Sequence, residues 1–238
     1  MTVEQQLLCG LRFYATGSYQ GQVVSDRHLA VHKTTLSACV RAVATAIVCR
    51  LGPRWIAFPE TAEERAGTQE AFLRRGFLPG VVGCVDGTFI AIKGPSKYDP
   101  TVTKPVQKFV LRPERHAGCP AQLTTYMCGG VRGCARSASL VILSGTMRTC
   151  LATVGASWLM TPVPGRPALG TPAGQYNQAH ASMRAVVERC IGLLNSRFRC
   201  LHRHRTIYHH PKIAGTIVAA CAVLHSICLC SGKAEPEP

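Results

Sequence analysis

Apolar residues fall in helical register through the first fifty positions. Leu7, Leu8, Leu11 and Phe13 share one face of an opening helix that ends near Gly17. Ser25 and Asp26 can cap a short helix through Ala30, and Val31 to Lys33 makes a turn. Thr34 can then cap a second helix carrying Leu36, Val40, Val43 and Ile47. Residues 25–48 thus have the outline of a helix-turn-helix, one that any two adjacent helices of a bundle share. After Gly52-Pro53, Thr61 and Glu64 form a capping box for an amphipathic helix that Gly76 ends. The spacing then changes to a β-branched run, Gly80 to Pro95 (GVVGCVDGTFIAIKGP). It predicts a buried strand, a kink at Gly87 and a second strand segment.

Residues 110–156 show neither sustained alternation nor a 3.6-residue period, so no strand patterning is predicted there. Order returns at Trp158. Pro162, Pro164, Pro167 and Pro172 mark a rigid loop, and a long helix follows from about Ala173 to Phe198, apolar along Val186, Val187, Ile191, Leu194 and Phe198. A basic loop holding His202, Arg203, His204 and Arg205 leads to an apolar run, Ile213 to Cys230. Pro211 before it and Gly232 after it suit a helix start and stop. The run barely reaches the length of a bilayer span and carries Thr216, His225 and Ser226, so it is read as a buried core helix. Lys233 to Pro238 forms a tail.

Charge narrows the partners. Lys and Arg number 27 against 12 acids, a net charge of +15, which favours polyanions: nucleic acid first, an anionic membrane surface second. The start, MTVEQQLLCG, shows no basic leader or cleavage pattern, and no pair of CxxC motifs marks a zinc ribbon. The 13 cysteines are therefore expected as free thiols in a reducing compartment.

Two acids stand out. Asp86, one of three aspartates, sits inside the apolar strand run, where a carboxylate is costly without a metal ion, an arginine or hydrogen-bond donors. The bland alternative is an Asp-Gly hairpin turn. Glu188 lies mid-helix among Arg184, Arg189, Arg197 and Arg199, and its bland alternative is a surface ion pair with Arg184. The basic loop could likewise be a solvated turn.

Five stretches together, EQQLLCGLRFYATGSYQ, FPETAEERAGTQEAF, GVVGCVDGTFIAIKGPS, WLMTPVPGRPALGTPAGQYNQAHASMRAVVERCIGLLNSRFRCL and IVAACAVLHSIC, resemble the PIF/Harbinger transposases and the Harbinger-derived nucleases of animals. The resemblance covers most of the chain outside 110–156. It implies an α/β (α+β) fold, with an RNase H-like DDE endonuclease domain over 79–232 behind a small helical region over 1–78. It places the family's first aspartate on Asp86 and its glutamate on Glu188, holding two Mg²⁺ or Mn²⁺ ions for phosphodiester cleavage. DNA contacts would come from Lys33, Thr34, Thr35 and Ser37 of the helix-turn-helix and from Arg184, Arg197, Arg199, His202, Arg203 and Arg205. It also implies a Myb-like DNA-binding partner and a nuclear location, with the cytoplasm as the alternative, and no membrane.

The family carries further aspartates between these two, in a His-Asp and a Leu-Gly-Asp-Ser-Gly motif. Here residues 115–187 contain no acid, so the second catalytic carboxylate is missing; Asp99 and Glu114 lie in the wrong segment. Codons permitted for Val110 to Cys119, read one base later, spell Ser-Tyr-Ala-Leu-Asn-Ala-Met-Gln-Val-Val. Ala135 to Leu140 in that frame can spell His-Asp-Arg-Arg-Val-Leu, and Cys150 to Gly155, read two bases later, Leu-Gly-Asp-Ser-Gly. By Trp158 the frame is restored. A chain with 110–156 out of frame is expected to be disordered across that segment, with an incomplete central sheet, a β-strand at Asp86 short of partners, and no nuclease activity. The reading from another class is a non-enzymatic, basic DNA-binding remnant.

Overall fold

The computed structural model describes residues 1–17, 32–56, 59, 61–74, 78–92, 106–112, 122–127, 150–153, 159–202 and 204–231. The described residues form five α-helices and a small sheet: α1 (Val3–Thr16), α2 (Lys33–Trp55), α3 (Ala62–Arg74), β1 (Val81–Phe89), β2 (Val106–Arg112), β3 (Gln122–Met127), β4 (Cys150–Thr153), β5 (Leu159–Met160), α4 (Pro172–Arg197) and α5 (Pro211–Cys230). It is a mostly helical α/β arrangement with little strand.

Caps define α1. Thr2 accepts from the Gln5 N–H while Gln5 reaches back to Thr2, and Gly17 closes the helix in the left-handed conformation at φ 58°. Of the expected apolar face, Phe13 is buried and Leu11 half-buried against the core, but Leu7 and Leu8 are exposed, and Cys9, Gly10 and Tyr14 are buried in their place. The reason is tertiary. Gly10 lets α1 approach α2 so closely that a Cβ there would meet Val43 Cβ at 2.9 Å. Beside it, the Tyr14 hydroxyl donates to the Val40 carbonyl at 2.7 Å. Tyr14→Phe removes that buried bond and will cost about 1 kcal/mol. Thermal unfolding will then shift down by about 2–4 °C; an unchanged midpoint would show the bond contributes nothing.

α2 departs from expectation at both ends. Its cap is His32, whose Nδ1 accepts from the Thr34 N–H, rather than Thr34 itself. It runs through Gly52 and Pro53 to Trp55; near a helix end, the ring costs only one hydrogen bond. The helix before it in the helix-turn-helix outline, residues 25–30, lies outside the described residues. α3 starts as predicted, with Thr61 Oγ1 accepting from the Glu64 N–H; its expected end at Gly76 lies outside the described residues.

The sheet has the order β3-β2-β1-β4-β5 with every neighbouring pair antiparallel. β1 runs without a break through Gly87, which lies opposite Lys108, so neither the kink nor the Asp-Gly hairpin turn is formed. Strands at 106–112, 122–127 and 150–153 also correct the expectation of a segment without them and of a β1 short of partners. The remainder of 113–158 lies outside the described residues. Backbone pairing, of 106–112 and 150–153 with β1 and of 122–127 with 106–112, recruits these strands despite their weak alternation.

One hydrophobic core joins all the helices. α2 packs along α5, α1 along α2, α3 and α4 against β1, and α5 against β3. Ala214, Ile217, Val218, Ala220, Cys221, Ala222 and Val223 bury α5 almost all round, as a core helix requires. Both α2 and the Lys212–Cys230 part of α5 are long and apolar enough to cross a bilayer by length and composition. In this fold both contribute residues to the core. The eight described cysteines are free thiols.

Candidate functional site

Asp86 is placed through its backbone, midway along the central strand and opposite Phe109 of β2; its side chain lies outside the described residues. Val85 beside it is flanked on both sides, by Val110 and Cys150. Against β1 lies α4, started by Thr171, whose Oγ1 accepts from the Gly174 N–H, with Pro172 at the first position. Met183, Val187, Cys190, Ile191 and Leu194 turn into the core. Glu188 therefore faces outward, and Arg184 Nε donates to its Oε1 at 2.7 Å with both side chains about half exposed. This is the surface pair that i, i+4 spacing allows, worth a few tenths of a kcal/mol. The neighbour of Glu188 is thus a cation.

The basic residues are spread over two regions. Lys33, Thr34 and Thr35 are exposed on the first turn of α2 and Ser37 is half-buried. Arg199, His202 and His204 are exposed and Arg205 is half-buried, on the loop after α4; Arg203 lies outside the described residues. Arg197 turns inward, with Nη1 donating to His225 Nδ1 at 3.0 Å, while Cys190 Sγ sits 3.7 Å from His225 Nε2. Burial, the larger cause, and the Arg197 guanidinium push His225 down to about 4. Burial pushes Cys190 up to about 12, against the opposing pull of Arg197. The thiol stays protonated, which excludes a nucleophilic cysteine here. Sequence spacing gave no sign of this buried network; a histidine in an otherwise apolar helix was its only trace.

A second feature lies at the start of α4. A cleft of about 330 Å³ opens between the 162–165 loop and the helix, lined by Asn177, His180, Ala181 and Arg184. The loop is pinned from below. Asn177 Nδ2 donates to the Val163 carbonyl at 3.0 Å, the Val163 N–H donates to Asn177 Oδ1 at 2.9 Å, and Tyr176 Oη donates to the Thr161 carbonyl.

A DDE superfamily endonuclease family model matches residues 153–226, which contain the whole of α4 and most of α5. "Putative nuclease HARBI1" of Xenopus laevis is 30% identical over 248 aligned residues, covering 95% of this chain and 67% of the relative. The Homo sapiens protein of that name is 30% identical over the same shares, and that of Bos taurus 28%. The chain belongs to the Harbinger transposase-derived nuclease family. No solved structure matches it.

DDE endonucleases generally use divalent metal ions, which makes the donor set of this Harbinger relative decisive. Mg²⁺ needs hard oxygen ligands, and two ions need several carboxylates between them. Among the described residues no three His, Cys, Asp or Glu side chains come close enough to hold a metal. Between Glu114 and Glu188 the chain offers no carboxylate at all. Among the described residues, then, no donor set for a two-ion site is gathered.

Proposed function

We propose that this Harbinger-derived chain is an RNase H-like DNA-binding protein that keeps two acidic positions of the DDE site, Asp86 and Glu188, and has lost two-ion cleavage. The observation that carries this reading is the acid-free run from residue 115 to 187, where a second aspartate would have to lie. The start of the endonuclease match at Thr153 agrees with a return to the family's frame near that point. A net charge of +15, the exposed cations at Lys33, Arg184 and Arg199 and the half-buried Arg205 support binding through phosphates, with Thr34, Thr35, Ser37 and His202 as polar contacts; Arg197 is engaged with His225, and Arg203 lies outside the described residues. A nuclear location and a Myb-like partner follow from the same reading.

Supercoiled plasmid incubated with the full chain and Mg²⁺ or Mn²⁺ will remain supercoiled, while duplex binding will weaken at least about tenfold between 50 and 200 mM salt. Metal-dependent nicking that Asp86→Ala abolishes would overturn the proposal. The ion pair of Glu188 favours the second reading, a non-enzymatic remnant with no retained metal affinity. Mn²⁺ titration separates the two: binding weakened by Asp86→Ala and Glu188→Gln supports a vestigial metal site, and none supports the remnant.

A further inference from the structure

The cleft at the start of α4 contains an unsatisfied group that neither the core nor the acidic positions explain. His180 lines it, is 2% exposed, and its Nε2 has no hydrogen-bond partner among the described residues. The ring's other nitrogen bonds the Met160 backbone, an interaction that favours the proton on that side. Burial, the largest influence, holds the ring neutral at physiological pH, so Nε2 carries a lone pair. A buried acceptor left unmatched costs about 1–3 kcal/mol, which a donor from a ligand would recover. One helical turn on, Arg184 lines the same cleft and uses Nε for Glu188, leaving further guanidinium donors for an anion. Their spacing along the helix is i, i+4, about 6 Å. Proline and glycine at 162, 164 and 165 build the opposite wall, with backbone held by Asn177. The volume is at the small end of ligand sites, enough for one nucleotide and too little for a duplex.

We propose that this cleft holds a single unpaired nucleotide of a DNA strand, its phosphate on Arg184 and a base or sugar N–H or O–H donating to His180 Nε2. The proposal rests on the DNA-binding reading above and deepens it. Arg184 then belongs at once to the nucleotide and to Glu188, which places the strand beside the helix that carries the family's glutamate. A paired nucleotide cannot enter without leaving the stack, so the site prefers single-stranded ends or distorted DNA.

The test uses 2′-deoxyadenosine 5′-monophosphate as probe on the full chain, by calorimetry, with deoxyadenosine and inorganic phosphate as controls. The nucleotide will bind, each control at least tenfold more weakly. Ala181→Leu, at an exposed position that tolerates a larger helix former, will fill the cleft and weaken the nucleotide at least tenfold. Arg184→Gln will do the same. Equal binding of nucleotide by wild type and Ala181→Leu, equal binding of inorganic phosphate, or no nucleotide binding at 10 mM (about the weak limit of a specific site) each overturns the proposal. The DNA reading is judged separately by duplex binding of the same variants. Duplex affinity kept in a protein that ignores the nucleotide sinks the cleft alone. Nucleotide binding without any duplex affinity upholds the cleft and sinks the DNA reading.

Discussion

Between pH 6.5 and 4 the protein will lose several kcal/mol of stability, most of it through one side chain. His225 is fully buried between Cys190 and Arg197, and its pKa falls from 6.5 to about 4, through burial first and the nearby guanidinium second. In the unfolded chain the ring takes up a proton near pH 6.5; in the fold it resists until about pH 4. Stability is thus complete above pH 6.5 and falls as the pH drops to about 4. At about 1.4 kcal/mol per pKa unit the loss is about 3 kcal/mol, a large part of a typical domain's total. His180 and His209 shift the same way, again through burial first, and steepen the fall. Denaturant titrations at pH 7.5, 6, 5 and 4 measure it. His225→Asn, which keeps an acceptor for Arg197 and cannot titrate, will flatten the acid limb by the largest single step. An unchanged limb in that variant would refute the assignment.

Gly17→Ala will be the most damaging small substitution at a described glycine with positive φ. The residue closes α1 at φ 58°, where a Cβ costs about 1 kcal/mol by itself. That Cβ would lie 2.6 Å from the Arg199 carbonyl and 2.8 Å from the Cys200 nitrogen, so backbone of the turn after α4 must move. The sum is expected to exceed about 3 kcal/mol, at the diagnostic end of single-residue effects. Gly80→Ala is the matched control. It shares a positive φ, 75°, but has open space around it, and will cost only about 1 kcal/mol. Equal losses in the two variants would show that conformation, not the close approach, governs Gly17.

Local rules carried the helices a long way. Thr61 and Gly17 announce their caps, and the apolar spacing of Val187, Ile191 and Leu194 gives α4 almost residue for residue. What those rules missed is tertiary. Leu7 and Leu8 lose the inward face of α1 because Gly10 and Tyr14 make a closer and better-bonded contact with α2. β2, β3 and β4 carry little alternation; their pairing, of β2 and β4 with β1 and of β3 with β2, comes from outside the local window. At the site, the Arg184–Glu188 bond followed from i, i+4 spacing. His180 and His225 did not, because one buried ring leaves no periodic mark. Asp86 was legible only through its motif, and its place in the central strand rules out the turn that its Asp-Gly dipeptide suggests.

Ile207 pairs in parallel with Ile92, and its N–H donates to the Ala91 carbonyl at 2.9 Å. The far end of the cationic loop is thereby fastened to the exit of β1, five residues beyond Asp86. Its near end is anchored by Phe198 and Leu201 in the core. The loop is a short tether under a fixed span, so a load placed on Arg199 or Arg205 is passed to the strand through the Ile207–Ala91 backbone link.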